Sequence, residues 1–592
     1  MKRTDINILD TWDLSLIYKD LEEFEQDLNK ATQILDQLLT YQNKLTQSSS
    51  TLYNFLELNI LFDRLISKLY CFTHLTSDVE PENQTNKTLE AKVMSLYEKA
   101  SQQLTFIDLE LIEHATEVKT LLQDDVLKDY RYYVSEILRQ ASHTLNQEME
   151  NFIAEVSPLI DTGSEVFDNL RLEFKPVLVD GKEEFLNNAT LNEFLRNKDP
   201  MVRKQAYENF FKEYQRFENV YAKTLSNTMK KDAFLAKTRH FKNSLEASLF
   251  LDQAPTSLFE KILYHANEKY LTYFHEYNLL KKQLLNQDIL YNYDLSVPLV
   301  NGLDKKYTKE ECLEIIKEAI SPFGKEYSEV IQLAFKERWI DFYPHIGKRD
   351  GAYSSGCYDT KPYILMNFVG NYQSLSTMIH ELGHSVHSYF SRKYQLPQNS
   401  EYRIFVAEVA STVNEMLLIN YMLKHAKTNQ EKASLLYNLL EQCTGLIYRQ
   451  PFFADFEHRL HQKAEQNQPM SSQIITDLYQ EMNEKYFGPE VTLSPYTKYS
   501  CYYVPHFYYN YYVYKYTLGM TCALAITSRI MKNDQEQINH YLQFLKSGGS
   551  TSPIELLKIA GVNPLEDQLY DDAFNYFKEK LDEFKTIMQE VQ

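Results

Sequence analysis

Residues 21–45 read LEEFEQDLNKATQILDQLLTYQNKL. Apolar side chains recur there at three- and four-residue spacing, at Leu21, Phe24, Leu28, Ile34, Leu35 and Leu38, the period of a helix that lays one stripe on a neighbour. Similar texture runs to about residue 175 and returns in the last part of the chain. Breakers are few, with 15 Gly and 17 Pro in 592 residues, and this also favours helix. The expected fold class is mainly α. Within it, LEFKPVLVDGKEEF (172–185) predicts a short hairpin turning on Asp180-Gly181. Asp199-Pro200 predicts a fresh helix, with proline in the first turn where its missing N–H costs nothing.

A chain of 592 residues exceeds what one hydrophobic core serves, so two or more lobes are expected. The 62 basic and 82 acidic residues give a net charge of -20. That charge repels phosphate backbones and anionic lipid, so neither nucleic acid nor a membrane surface is an expected partner. The opening MKRTDINILDTWDLSLIY places Asp5 and Asp10 where a signal peptide needs an apolar run, and no stretch has the length of a membrane span. The expected location is the cytoplasm. Six scattered cysteines without a CxxC pair read as reduced, buried small hydrophobes.

Composition shifts at 343–370, YPHIGKRDGAYSSGCYDTKPYILMNFVG. Glycines 347, 351, 356 and 370 fall here with 383 just beyond, around a short β-rich run from Tyr363 to Phe368. This is a loop and strand set into a helical protein, of the kind that carries functional residues. Directly after it stands MIHELGHSVHS (378–388), which contains HExxH. Five residues are a weak signal alone, so context decides. At about 100° per residue, His380, His384 and Glu381 share one side of the helix, while Leu375, Met378, Ile379, Leu382, Val386, Tyr389 and Phe390 gather on the other. Ligands and core stripe are separated.

Zinc requires a third protein ligand and leaves a fourth position for water. The shorter gaps of aminopeptidase-like and thermolysin-like zincins end on Arg403 or Ile404, which cannot serve. The metzincin continuation fails at His387 and Phe390. Glu408 remains, inside IFVAEVASTVNEMLLINYML (404–423), with Ser411 and Glu415 on the same helical face. An acid among Phe405, Val406, Val409 and Ala410 is costly to bury unless it is paired or bound to metal. The expected set is one zinc per chain on His380, His384 and Glu408, with Glu381 as general base, Glu415 in a supporting role and His387 a neighbour.

HELGH followed by AEVAS, its glutamate 24 positions after the second histidine, resembles the oligoendopeptidase F branch of the thimet-oligopeptidase-like zinc metallopeptidases. TWDLSLIY, DPMVRKQAYENF, KRDGAYSSGCYDTKPYILMNF, PHFYYNYYVYKYTLG and FLKSGGSTSPIELLKIAGV resemble the same family, and together they span nearly the whole chain. The resemblance implies a two-lobed helical zincin with a deep substrate channel and a small β element next to the HExxH helix. It also implies an N-terminal helical region over 1–195, including an oligopeptidase F-type segment at about 110–185, and a catalytic domain over 196–592. The implied activity is hydrolysis of internal bonds in short oligopeptides.

From the segment PHFYYNYYVYKY (505–516) the resemblance implies His506 as a catalytic residue. Tyr514 is implied as a second catalytic group, and Tyr508 and Tyr511 as substrate contacts, with Tyr511 and Tyr514 read as an i, i+3 pair. In zincins a strand just before the HExxH helix pairs with extended substrate, which makes Gly351, Gly356 and Tyr363 substrate-binding candidates. A helical zinc carboxypeptidase and a non-catalytic peptide-binding scaffold remain as alternatives. The sequence does not define oligomeric state or cleavage preference.

Overall fold

Helix α1 (Leu21–Leu39) forms where the apolar period predicts it. Asp20 caps its N-terminus, accepting from the backbone N–H groups of Glu22 and Glu23 at 3.1 Å. Phe24, Ile34, Leu35 and Leu38 are buried and Leu28 is partly so; Leu21, the first residue after the cap, stays 47% exposed and lies outside the stripe. The computed structural model describes residues 2–300, 302 and 305–591. The buried stripe packs on α2 (Ser49–Val79), which in turn packs on α3 (Gln84–Gln103). The turn leaving α1 is closed by the buried Glu110 carboxylate, which accepts from the N–H groups of Asn43 and Leu45 at 2.7 Å. Two charge-assisted bonds to one carboxylate offset its burial.

The same core reaches a three-stranded sheet through Tyr363 and Leu365. Its strands are β1 (Ile340–Asp341), β2 (Tyr353–Ser355) and β3 (Tyr363–Leu365), in the order β1-β3-β2. β3 runs parallel to β1 and antiparallel to β2, with Ser354 opposite Ile364. The strand expected over Tyr363–Phe368 is shorter as a ladder, yet its hydrogen bonding continues: Met366 N–H donates to the Asp341 carbonyl at 2.9 Å and Phe368 N–H to the Phe342 carbonyl at 2.8 Å. This strand is the centre of the sheet and not its edge. The outer edge of β2 has no strand partner among the described residues.

Between β1 and β2 the chain turns around Lys348. Its ammonium donates to the Asp341 carboxylate at 2.7 Å and to the carbonyls of Asp341, Tyr343 and Met366 at 3.0, 2.9 and 2.5 Å. Both charged side chains are fully shielded, and burial pulls the Lys348 pKa down. A single buried ammonium thus fixes the loop leading to β2.

Two compact units organise the chain: one joins Met1–Thr144, Asp304–Tyr421 and Arg529–Val562, and the other joins Leu145–Leu303, Met422–Ser528 and Asn563–Gln592. These spatial units cut across a linear division at 195/196, because helices from distant parts of the sequence share each core. The first unit adds α4 (Tyr372–Tyr394), α5 (Ile404–His425) and α6 (Gln535–Ser547), with α4 packed on α6. In the second unit, Val177–Val179 and Lys182–Glu184 pair antiparallel across Asp180 (φ 52°) and Gly181 (φ 78°), the hairpin turn the sequence predicts. Helix Pro200–Arg216 follows, capped by Asp199. Helices Asn429–Cys443 and Asp567–Val591 pack on each other in the same unit. All six cysteines are free and buried. Among the described residues no helix is long and apolar enough to cross a membrane.

Removing the Lys348 ammonium would leave Asp341 buried with only Arg3 opposite it, at 3.0 Å. Lys348→Met is expected to lower unfolding free energy by about 3 kcal/mol, read as a lower urea midpoint with an unchanged slope.

Candidate metal centre

The site begins with a close helix crossing. A methyl group built on Gly383 of α4 would sit 2.7 Å from the Ser411 Cα and 3.0 Å from the Ala410 carbonyl oxygen of α5. Only glycine admits that approach. The crossing is pinned from both sides: Asn414 donates its side-chain N–H to the Ile379 carbonyl at 3.2 Å and accepts from the Tyr327 hydroxyl at 2.8 Å. Tyr541 of α6 donates to the Ala410 carbonyl at 3.3 Å. α4 itself starts at Asn371, whose side chain accepts from the Ser374 N–H at 2.8 Å.

This crossing brings Glu408 of α5 against the two histidines of α4. The Nε2 atoms of His380 and His384 lie 3.7 Å and 4.0 Å from the Glu408 carboxylate oxygens, and one donor atom from each of the three residues falls within 4.8 Å of the others. Donors bound to one zinc at tetrahedral angles stand about 3.3 Å apart. The set therefore fits a metal once the donors draw together by about half an ångström to somewhat over one ångström. Two imidazoles and one carboxylate also have the right chemistry for a borderline divalent ion.

Protonation states follow from surroundings. Burial, with the nearby His380 and His387 rings, pushes His384 down to about 3, so it is neutral and ready to ligate. Burial also acts on His380, but its Nδ1 meets a Glu415 carboxylate oxygen, and that bond and charge, with Glu381 and Glu408 adding, raise it to about 9. Glu415 thereby fixes a proton on Nδ1 and leaves Nε2 facing Glu408. Ser411 donates to the Glu408 main-chain carbonyl at 3.1 Å. Glu381 is 7% exposed; burial and the charges of Glu408 and Glu415 raise it to about 7 against the opposing pull of His380 and of the Ser354 N–H. The Ser354 hydroxyl also meets that of Ser385 at 2.8 Å, so β2 lies along α4 beside Glu381.

His387 is a bystander packed flat on Tyr402, ring centroids 3.7 Å apart, and against Phe544. Burial pushes it down to about 3.

The substrate-side candidates divide. Tyr363 is fully buried, donates to the Asp13 carbonyl at 2.9 Å and packs on Trp12, so it belongs to the core and is corrected from a substrate contact to a structural residue. Gly356 is glycine for the protein's own packing, since a Cβ would lie 2.7 Å from the Lys361 carbonyl oxygen; Gly351 takes a positive φ of 84° in a turn held by Asn367.

The segment after Pro505 lies in the second unit. Tyr514 is fully buried and donates to Asp252 at 2.7 Å; Tyr511 is 1% exposed, with its hydroxyl at 2.9 Å from His458 Nδ1 and its ring stacked on His461. Neither presents a hydroxyl to a ligand, and both are corrected to core residues. The reason is local. Tyr511 has a positive φ of 56° and Tyr514 is the first residue of helix Tyr514–Ile530, so no helical period links them. Tyr508 is partly buried, with its hydroxyl 2.9 Å from that of Thr224. The rings around His506 are instead Tyr509, Tyr512 and Tyr516, at 5.7, 6.2 and 5.9 Å. Burial lowers the His506 pKa.

Comparison with known proteins gives the lineage of this arrangement. The model of peptidase family M3 matches residues 194–576, and that of oligopeptidase F matches residues 114–173. Oligopeptidase PepF of Bacillus subtilis is 35% identical, covering 100% of this chain and 89% of its own length. Group B oligopeptidase PepB of Streptococcus agalactiae is 32% identical, covering 98% of this chain and 97% of its own. Among solved structures, oligoendopeptidase F of Enterococcus faecium superposes with a TM-score of 0.74 at 29% identity, over 96% of this chain and 99% of that one.

Two outcomes follow from the geometry. Gly383→Ala is expected to cost about 2 kcal/mol through overpacking and to reduce metal content measured by mass spectrometry after dialysis, because the added carbon parts α4 from α5. Binding of zinc at pH 7 is expected to release about one proton, from His380; in Glu415→Gln the release should shrink and affinity fall about 10- to 100-fold, as read by calorimetry in buffers of different ionisation enthalpy.

Proposed function

Because this chain belongs to peptidase family M3, we propose that it is a zinc-dependent endopeptidase of the cytoplasm that hydrolyses internal bonds of short oligopeptides. The observation that carries the reading is the convergence of His380, His384 and Glu408 with the buried carboxyl of Glu381 alongside. The names of its relatives, oligopeptidase PepF and oligoendopeptidase F, support the substrate class.

A zinc ion held by His380, His384 and Glu408 would supply the Lewis acid that polarises the scissile carbonyl and brings the pKa of water toward about 7. Glu381 takes a proton from the attacking water on its carboxylate and passes it to the departing amine. Burial, the largest cause of the raised Glu381 pKa in the protein alone, also acts with metal bound and favours a carboxyl that can accept and return a proton. The Ser354 N–H orients that carboxylate, and Glu415 holds the proton on His380 Nδ1. Along the edge of β2 away from β3 the Ser354 N–H is given to Glu381 and the Gly356 carbonyl to Arg392, and the main-chain groups that remain between them would pair with an extended peptide, a pairing that reads length and direction more than side chains. The family resemblance carries His506 as a further catalytic candidate, and burial lowers its pKa. Tyr509, Tyr512 and Tyr516 take over from Tyr511 and Tyr514 as the tyrosines beside it.

Glu381→Gln is expected to keep its zinc and lose hydrolysis by about 10²- to 10⁴-fold. Mass spectrometry of a digested peptide of about ten residues should show internal cleavage by wild type. Stepwise loss of single residues would identify a carboxypeptidase, and full activity in the variant would overturn the role of Glu381.

A further inference from the structure

The first unit holds a cleft of about 690 Å³ that begins where β2 ends. Ser355 and Gly356 form one side of its lining. Ser354, whose N–H faces Glu381, is two residues from Gly356, about 7 Å of extended chain. The Gly356 carbonyl accepts from Arg392 at 2.8 Å, which ties this end of the strand to the same helix that carries His380 and His384. A peptide paired along β2 and cut beside Glu381 therefore runs into this cleft about two residues from the scissile bond.

The walls opposite come from α2 and α3. Tyr70 and Tyr97 remain 44% and 53% exposed there, with Met94 and Tyr133 completing an apolar surround. Asp63 is part of the same lining. Its side chain is accessible to solvent, yet it is so surrounded by protein that lost solvation alone raises its pKa to about 6. Its hydrogen-bond partner is the Asn59 amide at 3.2 Å, and among the described residues it has no cationic partner. Arg64, which also lines the cleft, is neutralised by a two-pronged pairing with Asp359 at 2.9 and 2.5 Å. Glu401, also in the lining and mostly exposed, is paired with Arg392 at 3.6 Å. A carboxylate that lines a tyrosine-bearing cleft and lacks a counter-ion is a receptor for an organic cation.

We propose that this cleft is a specificity pocket in which Asp63 receives the basic side chain of an arginine or lysine, about two residues from the bond cleaved. The proposal rests on the peptidase reading above. Asp63 is a specificity residue: it touches substrate away from the reacting atoms.

The test uses a neutral peptide of about ten residues carrying arginine, or its uncharged isostere citrulline, singly at each position on both sides of the cleaved bond. At one position roughly two residues from that bond, wild type is expected to favour arginine over citrulline about tenfold in kcat/KM. In Asp63→Asn the ratio should fall to about one, and in wild type it should shrink as pH drops below 6 and the carboxylate takes a proton. Equal rates for arginine and citrulline at every position, or a preference that survives Asp63→Asn, would overturn the pocket while leaving the peptidase reading intact. If wild type cleaves no peptide, that reading fails instead. The pocket is then decided by fluorescence anisotropy with labelled arginine and citrulline peptides on zinc-loaded Glu381→Gln, with and without Asp63→Asn. A tenfold difference in Kd in the first and none in the second supports it, and identical behaviour in both sinks it.

Discussion

Everything chemical in this molecule depends on how closely two helices cross at Gly383. The histidines of α4 point one way by helical geometry alone, but a third ligand has to come from another element. Glu408 reaches them because the backbone of α5 at Ala410 and Ser411 lies where a side chain at position 383 would otherwise stand. The same contact sets the second row of contacts, since Glu415, two turns beyond Glu408, meets His380 Nδ1 only if the helices remain at this separation. The glycine inside HELGH is thus part of the ligand geometry although it ligates nothing. Its cost in helix propensity, about 1 kcal/mol relative to alanine, is offset by the Asn414 and Tyr541 bonds that hold the crossing.

Electrostatics at the site follow from crowding three carboxyl groups around two imidazoles inside a protein. Burial first, then repulsion from Glu408 and Glu415, lifts Glu381 to about 7 in the protein alone, and against its own burial His380 is lifted to about 9 by its bond to Glu415 and the surrounding carboxylates. A divalent cation relieves that repulsion, so the acidic crowding that destabilises the protein alone is a source of metal affinity. The neutral His384, pushed to about 3, contributes a lone pair at no proton cost.

Periodicity made the helical class legible, and the α1 stripe is buried nearly as written. The clustering of His380, His384 and Glu408 was legible because HExxH sits on one helix, where spacing converts directly into direction, and because elimination left Glu408. What stayed hidden lies where regular period lapses. Residues 505–513 form short 3-10 turns and irregular backbone, so spacing within PHFYYNYYVYKY says nothing of direction, and Tyr511 and Tyr514 turn inward to His458 and Asp252. Strand order was likewise invisible. Residues 353–355 and 363–365 alternate too briefly to show which is central, and only pairing reveals that β3 has strands on both sides while β2, among the described residues, has one on a single side. The split of the chain into interleaved units, each built from three segments, has no local signature either.

The free strand also shows how a protein with little sheet can offer a rigid template. β2 is only three residues long, and an isolated strand of that length does not hold its shape. Here it is fixed at several points. Lys348 anchors the loop before it, and the Tyr353 hydroxyl and Arg349 both bind Asp78 of α2, at 2.7 and 3.2 Å. Ser354 meets Ser385 of α4, and Arg392 of the same helix grips Gly356 just past its end. Side chains of α2 and α4 thus do what neighbouring strands would do in a larger sheet. Because one of those helices carries His380 and His384, the strand and the histidines are positioned by a common body, and the Ser354 N–H stays in register with Glu381. In the proposed peptidase, a strand held in this way would align peptides through the backbone and leave selectivity to the side-chain pocket proposed at its end.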